Sequence, residues 1–214
     1  MGKTLTFYTN PMSRGRIARW MLEEAGAAYE TVYLSYGDGE DGMKSETYRQ
    51  INPMGKVPAI VHGDQTVTEC AAICAYLADT FPEAGLAPAP ADRGAYYRWL
   101  FFAAGPLESA VLNKSMGWMT EGEQTRSAGY GDFDTARNTL IEAVSKTPYI
   151  CGDSFTAADV YVGSQVGWGL QFGTIPPSPE LEAYSARLYE RPAWKRASEI
   201  DNAAMAELGP TPPS

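Results

Sequence analysis

Residues 51–74 of the chain read INPMGKVPAIVHGDQTVTECAAIC, and this stretch decides the fold. Residues 57–61 and residues 66–68 are rich in apolar and β-branched side chains, which predicts two short strands. The segment between them, residues 62–65, contains a glycine, as the turn of a β-hairpin does. Residues 69–78 are apolar almost all round, so we expect a buried helix after the hairpin.

The residues before this stretch complete a small α/β domain. Residues 4–8 alternate polar and apolar side chains, as a strand does. Ser13 stands where the N-cap of a helix would, apolar residues then recur at helical spacing over residues 17–25, and Gly26 ends that helix. Residues 29–34 are rich in β-formers, and residues 45–51 predict a short helical turn. The order βαβ, α, ββα fits helices packed on a sheet.

A proline-rich segment separates this domain from the rest of the chain. Residues 82–92 show no strand or helix periodicity, which predicts an inter-domain linker. The two predicted domains are therefore residues 1–81 and residues 93–214. Within the second domain we predict a helix over residues 95–118 that is kinked at Gly105–Pro106, a helix over residues 133–145, and a helix that opens at Ser178–Pro179.

Residues 155–159, Phe-Thr-Ala-Ala-Asp, predict the start of another helix in the second domain. The Thr156 hydroxyl can bond the amide of Asp159, while the Asp159 carboxylate reaches back to the amide of Thr156. This reciprocal arrangement is a capping box, and it fixes the first turn of a helix.

Charge and composition exclude several classes of protein. The 214 residues include 17 Lys and Arg against 26 Asp and Glu, which gives a net charge of −9. Nucleic-acid binding needs a basic surface, so we expect no nucleic-acid partner. No apolar run approaches the ~20 residues of a membrane span. The N-terminus enters a strand pattern without an apolar leader, so we expect no membrane partner and a cytoplasmic location.

The chain holds few residues suited to metal or redox chemistry. It has one histidine, His62, and three cysteines, Cys70, Cys74 and Cys151, with no Cys-x-x-Cys pair. We therefore predict no metal site, no bound cofactor and no redox dithiol. Chemistry would have to come from hydroxyls, backbone amides or a ligand that carries its own reactive atom.

Three segments resemble a known family. Residues 51–60 and residues 67–73 are similar to the "NPxGKVPAL … ES-x-AI" glutathione site of cytosolic glutathione S-transferases. Residues 155–159 resemble the folding signature in the helical domain of the same family. The chain looks like a bacterial member with a serine- or cysteine-type N-terminal site. The resemblance implies an α/β thioredoxin-like N-terminal domain (βαβ-α-ββα), an all-α C-terminal domain, and a homodimer.

The resemblance also implies a function. It is the conjugation of the glutathione thiolate to small hydrophobic electrophiles in detoxification, with glutathione as co-substrate. Two alternatives remain open: a glutathione-dependent disulfide or peroxide reductase, and a non-catalytic glutathione-binding protein. The electrophile would lie against aromatic residues of the helical domain. The candidates are Tyr97, Phe101, Trp118 and Trp168.

Four candidate residues would bind the peptide part and the glycyl end of glutathione. A proline within a strand is confined to an edge or a bulge, so Pro58 leaves the backbone of Val57 able to pair with an extended peptide. The resemblance implies a cis bond between these two residues and pairing of Val57 with the cysteinyl part of glutathione. Lys44 and Lys56 are the basic candidates for the glycyl carboxylate.

Two further candidates, Glu69 and Cys70, open the helix that follows the hairpin. The N-terminus of a helix favours an anion, because its N–H groups and its dipole both point there. The resemblance places an acid–serine pair at this point to hold the γ-glutamyl end of glutathione. Glu69 matches the acid and Cys70 replaces the serine, so one side-chain donor is weaker. We predict a binding role for Cys70 and no obligatory redox step.

Ser13 is the favoured catalytic residue, in the loop where the resemblance places the activating group. No base lies beside it in sequence, so its hydroxyl would donate a hydrogen bond to the thiolate and not act as a nucleophile. Lowering a thiol pKa by about two units needs ~2.7 kcal/mol, and one hydrogen bond to a charged acceptor contributes ~1.5–3 kcal/mol. Asn10 and Tyr8 can make the same bond, so three donors remain open.

Overall fold

The computed structural model describes residues 4–208, which form two compact units. The first unit contains the described residues up to Ala84 together with those from Arg191 onward. The second unit is Gly85–Glu190. Among the residues that the structure describes, no helix combines the length and the apolar character that crossing a membrane requires.

The first unit is built on a mixed four-stranded sheet in the order β2-β1-β3-β4. Strand β1 (Leu5–Thr9) pairs in parallel with β2 (Glu30–Tyr33) and antiparallel with β3 (Ala59–His62). Strand β4 (Gln65–Thr68) pairs antiparallel with β3 and completes the predicted hairpin. The side chains of Leu5 and Phe7 are buried, as the alternation along β1 requires.

Three helices of the first unit follow the predicted order. Helix α1 (Gly15–Ala25) ends at Gly26, which adopts the left-handed conformation (φ 62°) that glycine tolerates best. Helix α2 (Glu46–Arg49) is a single short turn. Helix α3 (Cys70–Thr80) buries only one side, because Ala72 on its other side is exposed. The prediction of a helix buried all round is therefore wrong, since an alanine-rich sequence does not show which face is covered.

The second unit is helical throughout. Its helices are α4 (Gly94–Phe102), α5 (Glu108–Ser115), α6 (Gln124–Ser127), α7 (Phe133–Lys146), α8 (Ala157–Gln171) and α9 (Pro179–Tyr189). Between α4 and α5 a π-helical turn, Ala103–Leu107, carries Pro106. A proline removes one backbone donor, and the wider turn accommodates that loss where the sequence predicts a kink.

The predicted capping box is present at the start of α8. Asp159 is fully buried, and its Oδ2 accepts the Thr156 N–H at 2.9 Å and the Thr156 hydroxyl at 3.1 Å. Its Oδ1 accepts the Ile150 N–H at 2.7 Å and the Tyr184 hydroxyl at 2.9 Å. Burial raises the pKa of Asp159, and these hydrogen bonds act in the opposite direction.

The last helix, α10 (Pro192–Leu208), belongs to the first unit, although the sequence groups it with the helical residues 93–214. It packs on α1 through charged contacts. Arg19 Nε lies 2.6 Å from Asp201 Oδ1, and both side chains are only 1% exposed. Just before α10, Arg191 makes a bidentate contact with Glu24: Nε donates to Oε1 at 2.6 Å and Nη2 donates to Oε2 at 2.7 Å.

Candidate functional site

The register of the sheet brings three chain segments to one edge. Tyr8, near the end of β1, pairs with Ala59 at the start of β3. Ala59 pairs in turn with Thr68, the last residue of β4. Consequently the loop after β1, the residues just before β3 and the residues that open α3 all leave the sheet at the same end. Most of the residues predicted to bind or activate a ligand lie on these segments.

Asn10 holds the β1–α1 loop, which we define as residues 10–14, against the end of β2. Its side chain is 6% exposed. The amide Nδ2 donates to the Leu34 carbonyl at 2.8 Å, and Oδ1 accepts the Met12 N–H at 2.9 Å. Both ends of the carboxamide therefore have structural partners, which is the pattern of a group that shapes the loop.

Ser13 lies half-buried in the same loop and bridges two backbone groups. Its hydroxyl donates to the Asn10 carbonyl at 2.7 Å and accepts the Gly15 N–H at 2.9 Å. The Ser13 N–H also donates to the Asn10 carbonyl, at 3.0 Å. The hydroxyl can thus turn towards another acceptor without leaving that carbonyl without a donor.

Helix α1 begins at Gly15, with Arg14 as its N-cap residue, whereas the sequence predicts Ser13 in that position. A Cβ on Gly15 would lie 1.8 Å from Thr9 Oγ1 and 3.0 Å from Ser13 Oγ. Only glycine therefore allows the helix to start this close to the end of β1. The packing of the strand end, and not the capping preference alone, sets where the helix begins.

The Val57–Pro58 peptide bond is cis, as the resemblance implied. Val57 is half-buried, and Pro58 lies between it and β3. Because β3 pairs with β1 on one side and β4 on the other, the expectation that Pro58 lies in an edge strand is wrong: the proline precedes an internal strand. The backbone before Val57 is fixed by two side chains that sequence analysis missed: the Tyr48 hydroxyl and Asn52 Nδ2 donate to the Lys56 carbonyl at 2.6 and 2.8 Å. Burial raises the pKa of Tyr48 to about 12, so this hydroxyl remains a donor at neutral pH.

Glu69 and Cys70 lie where the chain leaves β4 and enters α3. Glu69 is exposed and has a left-handed φ of 65°, a conformation that costs a non-glycine residue free energy and occurs often at ligand sites. Cys70 is 7% exposed, and its thiol donates to the Arg14 carbonyl over 3.5 Å. This contact joins the start of α3 to the β1–α1 loop.

The two predicted lysines both lie at the segment that precedes Val57. Lys44 is half-buried, and its Nζ donates to the Met54 carbonyl at 3.2 Å. Lys56 is exposed. Between them Gly55 has a φ of 58°, and a Cβ there would lie 2.8 Å from the Met43 carbonyl oxygen. The glycine therefore allows Lys44 to lie along this segment.

The predicted aromatic candidates all lie in the second unit. Tyr97 and Phe101 are one helical turn apart on α4 and are 45% and 73% exposed. Trp118, which follows α5, is 64% exposed, and Trp168 on α8 is half-buried. A cavity of about 360 Å³ also opens in this unit, and none of these four side chains lines it.

The two other cysteines are poorly suited to thiol chemistry. Complete burial raises the pKa of Cys74 well above its ordinary value, so its thiol stays protonated. Burial raises the pKa of Cys151 to about 11. Neither thiol is a nucleophile at neutral pH.

Comparison with known proteins shows which proteins the chain resembles. The family model for the glutathione S-transferase N-terminal domain matches residues 3–79. Glutathione S-transferase hmp2 of Hypomyces subiculosus is 26% identical over 210 residues, which are 91% of this chain and 97% of that protein. The N-terminal part of the chain thus matches a glutathione S-transferase domain, and most of the chain is similar to glutathione S-transferases at about a quarter identity.

Solved structures confirm the predicted fold class. The crystal structure of a glutathione transferase from Methylococcus capsulatus is 28% identical, has a TM-score of 0.73, and covers 94% of this chain and 100% of its own. A sphingomonad glutathione S-transferase complexed with glutathione is 26% identical with a TM-score of 0.72, and the match covers 92% of this chain and 98% of that chain. The fold is a thioredoxin-like domain with a helical C-terminal region.

Proposed function

We propose that this protein is a glutathione transferase that joins the glutathione thiolate to small hydrophobic electrophiles. One observation carries the proposal: Ser13, Val57 and Glu69 leave the sheet at the same end, as the register of Tyr8, Ala59 and Thr68 requires. A short extended peptide with a carboxylate at each end matches this arrangement of a loop hydroxyl, the backbone ahead of β3 and a helix N-terminus.

In the contacts that we propose, each part of glutathione lies against a different segment of the chain. The backbone of Val57 pairs with the cysteinyl part, beside Pro58. The γ-glutamyl carboxylate lies at the N-terminus of α3, where Cys70 offers its N–H, and Glu69 accepts the ammonium group. Lys44 and Lys56 supply the positive charge for the glycyl carboxylate, which a chain with a net charge of −9 needs locally.

Ser13 is the proposed donor to the thiolate, which makes this a serine-type site. The hydroxyl gives up its bond to the Asn10 carbonyl, which keeps the Ser13 N–H at 3.0 Å, so the rotation costs little. The Asn10 carboxamide is already bonded to Leu34 and Met12, which favours a supporting role for it. Ser13 is thus preferred over Asn10 and Tyr8.

The apolar contacts of the electrophile are proposed to come from Tyr97, Phe101, Trp118 and Trp168. Exposed aromatic side chains bind apolar rings through large contact areas at small entropic cost. We further propose that the protein is a cytoplasmic homodimer that acts in detoxification. Sedimentation tests the dimer, because a species of monomer mass at micromolar concentration would contradict it.

The deciding experiment compares three reactions of purified protein with glutathione: conjugation of an aromatic halide, reduction of a peroxide, and reduction of a mixed disulfide. We expect saturable conjugation and little activity with the other two, because burial raises the pKa of Cys74 and Cys151, and Cys70 is proposed to lie at the γ-glutamyl end of glutathione and not beside its sulfur. Dominant reduction would support a reductase. Tight glutathione binding with no turnover would support a non-catalytic binding protein.

A further inference from the structure

Every backbone carbonyl of the β1–α1 loop accepts a hydrogen bond, and the donors come from several parts of the first unit. They are Ser13 for the Asn10 carbonyl, Arg16 Nε for Pro11, the Tyr36 hydroxyl for Met12, the Arg16 N–H for Ser13, and the Ile17 N–H for Arg14. A loop with all its acceptors in use has a defined conformation. The loop that carries Ser13 is therefore held by groups outside it.

Arg16 connects the loop to a residue that is distant in sequence. Its Nε donates to the Pro11 carbonyl at 2.6 Å, and its Nη2 donates to Asn202 Oδ1 at 2.9 Å. Asn202 belongs to α10 and lies 186 residues away in sequence. Because the guanidinium group is planar and rigid, these two bonds relate the position of the loop carbonyl to that of the α10 amide.

The α10 end of this link is itself held firmly. Asp201, next to Asn202, is buried against Arg19 with an Nε–Oδ1 distance of 2.6 Å. Arg19 also donates to the hydroxyls of Tyr29 and Tyr33 at 3.1 Å each. Removing one partner of such a buried pair is strongly unfavourable, so α10 keeps its register on α1. Asn202 consequently has a fixed position from which to orient Arg16.

We propose that Arg16 is a positioning residue for Ser13, and that α10 acts on the thiol site through the Asn202–Arg16–Pro11 link. The inference rests on the proposed function, in which the Ser13 hydroxyl donates to the thiolate. Arg16 is the second residue of α1 and bonds the loop at Pro11, two residues before Ser13. Loss of the link lets the loop shift, and a shift of about 1 Å can cost up to ~100-fold in rate.

The test compares Arg16→Ala with Arg196→Ala in the full chain. Arg196 also lies on α10 and contacts α1, at Glu23 over 3.3 Å, but it does not touch the loop. We expect Arg16→Ala to lower kcat about tenfold around pH 6.5 with the KM for glutathione changed less than about twofold, because the link bears on the thiolate and not on binding. The Arg196→Ala variant keeps the wild-type rate.

Substitutions at the exposed Asn202 separate positioning from a general loss of stability. Asn202→Ala removes the acceptor and is expected to lower kcat by about threefold, whereas Asn202→Asp keeps an acceptor for Arg16 and retains the rate. The effects of Arg16→Ala and Asn202→Ala will not add, because both break one link. Equal losses in Arg16→Ala and Arg196→Ala, or a loss in Asn202→Asp as large as in Asn202→Ala, would overturn the inference.

Amide hydrogen exchange of residues 10–16 tests, independently of activity, whether Arg16 holds the β1–α1 loop in place. Arg16→Ala should speed exchange at the Ser13 and Gly15 amides, and Arg196→Ala should not. Unchanged exchange in Arg16→Ala overturns the positioning role even if its rate falls. If wild-type protein does not lower the pKa of glutathione at all, the proposed function fails, while faster exchange in Arg16→Ala still establishes the link.

Discussion

The starts of helices α8 and α1 are held in contrasting ways. At α8, Asp159 accepts from Thr156 three residues earlier and from Ile150 nine residues earlier. At α1, the preceding loop is held through Leu34 and through Asn202, which lie 24 and 186 residues from their partners. Most of the first arrangement lies within a short motif that can be recognised in the sequence, and Tyr184, 25 residues away, adds a more distant donor. The second exists only after distant segments have packed.

The largest effect on stability is expected from Asp159→Ala. The substitution removes the acceptor of four buried donors on three residues, Ile150, Thr156 (N–H and hydroxyl) and Tyr184, at ~1–3 kcal/mol for each donor left unpaired. We expect the free energy of unfolding to fall by at least about 3 kcal/mol. Urea unfolding at neutral pH measures the loss.

Asp132→Ala is the matched control for Asp159→Ala. Asp132 caps α7 in the same way, because its Oδ1 accepts the Thr135 N–H at 2.7 Å, but the site is open to solvent. Water replaces the lost acceptor there, so the destabilisation should be much smaller. Equal losses in the two variants would show that burial of the α8 box adds nothing to the capping bond itself.

The next largest effect is expected from Gly15→Ala at the start of α1. The added Cβ would lie 1.8 Å from Thr9 Oγ1, so the strand end or the helix must move. Overpacking of this kind costs ~1–3 kcal/mol, and the β1–α1 loop should shift with it. Thermal unfolding and the conjugation rate are expected to fall together.

Two variants control the Gly15→Ala experiment. Gly94→Ala places a methyl group at the start of α4, where nothing lies within 4 Å, and should leave stability unchanged or raise it by ~0.4–1 kcal/mol. Thr9→Ala removes the clashing oxygen, so Thr9→Ala combined with Gly15→Ala should recover much of the loss. A double variant as unstable as Gly15→Ala alone would contradict the clash.

The same contrast explains which parts of the fold the sequence predicts. The β3–β4 hairpin, the end of α1 at Gly26 and the box at Asp159 rest on residues close together in the chain, and all three are found in the structure. The N-cap of α1 is displaced by one residue, from Ser13 to Arg14, because the start of the helix depends on the close approach of Gly15 to Thr9 in the preceding strand.

The attachment of α10 to the first unit could not be predicted, since its determinants are far apart. Arg19 is the polar residue of an otherwise apolar stretch of α1, and its partner Asp201 lies 182 residues later. The sequence shows the unusual arginine but not its partner. At the candidate site the same limit applies: Ser13 can be proposed from its place after β1, but Arg16 as its support cannot.

Ser13→Ala is expected to change the pH dependence of conjugation more than the affinity for glutathione. A hydrogen bond to a charged acceptor contributes ~1.5–3 kcal/mol, and one pKa unit corresponds to ~1.4 kcal/mol. The pKa of the bound thiol should therefore rise by about one to two units. Because less thiolate is then present below that pKa, turnover should fall about tenfold or more around pH 6.5 and recover as the pH rises.

Turnover measured from about pH 6 to 8 tests this prediction, with glutathione titration as the control for binding. Affinity should stay within about twofold, because glutathione is held mainly by its peptide and carboxylate groups. A pH profile that coincides with that of wild type would assign the thiol donor to Asn10 or Tyr8. The Asn10 carboxamide would then have to leave Leu34 or Met12.

The smallest effect is expected from Cys70→Ser. The Cys70 thiol donates weakly to the Arg14 carbonyl over 3.5 Å, and a hydroxyl is the stronger donor. The N–H of residue 70 is retained, so the variant should bind glutathione at least as tightly as wild type, with turnover within about twofold. Calorimetric titration and the conjugation assay measure the two quantities.

Cys151→Ser in the second unit controls for general effects of removing a thiol. Burial raises the pKa of Cys151 to about 11, so its loss should change neither quantity. Complete loss of activity in Cys70→Ser, together with a stable mixed disulfide between glutathione and Cys70 in wild type, would make the reductase the better proposal. The start of α3 would then carry the chemistry, and Ser13 in the β1–α1 loop would only support it.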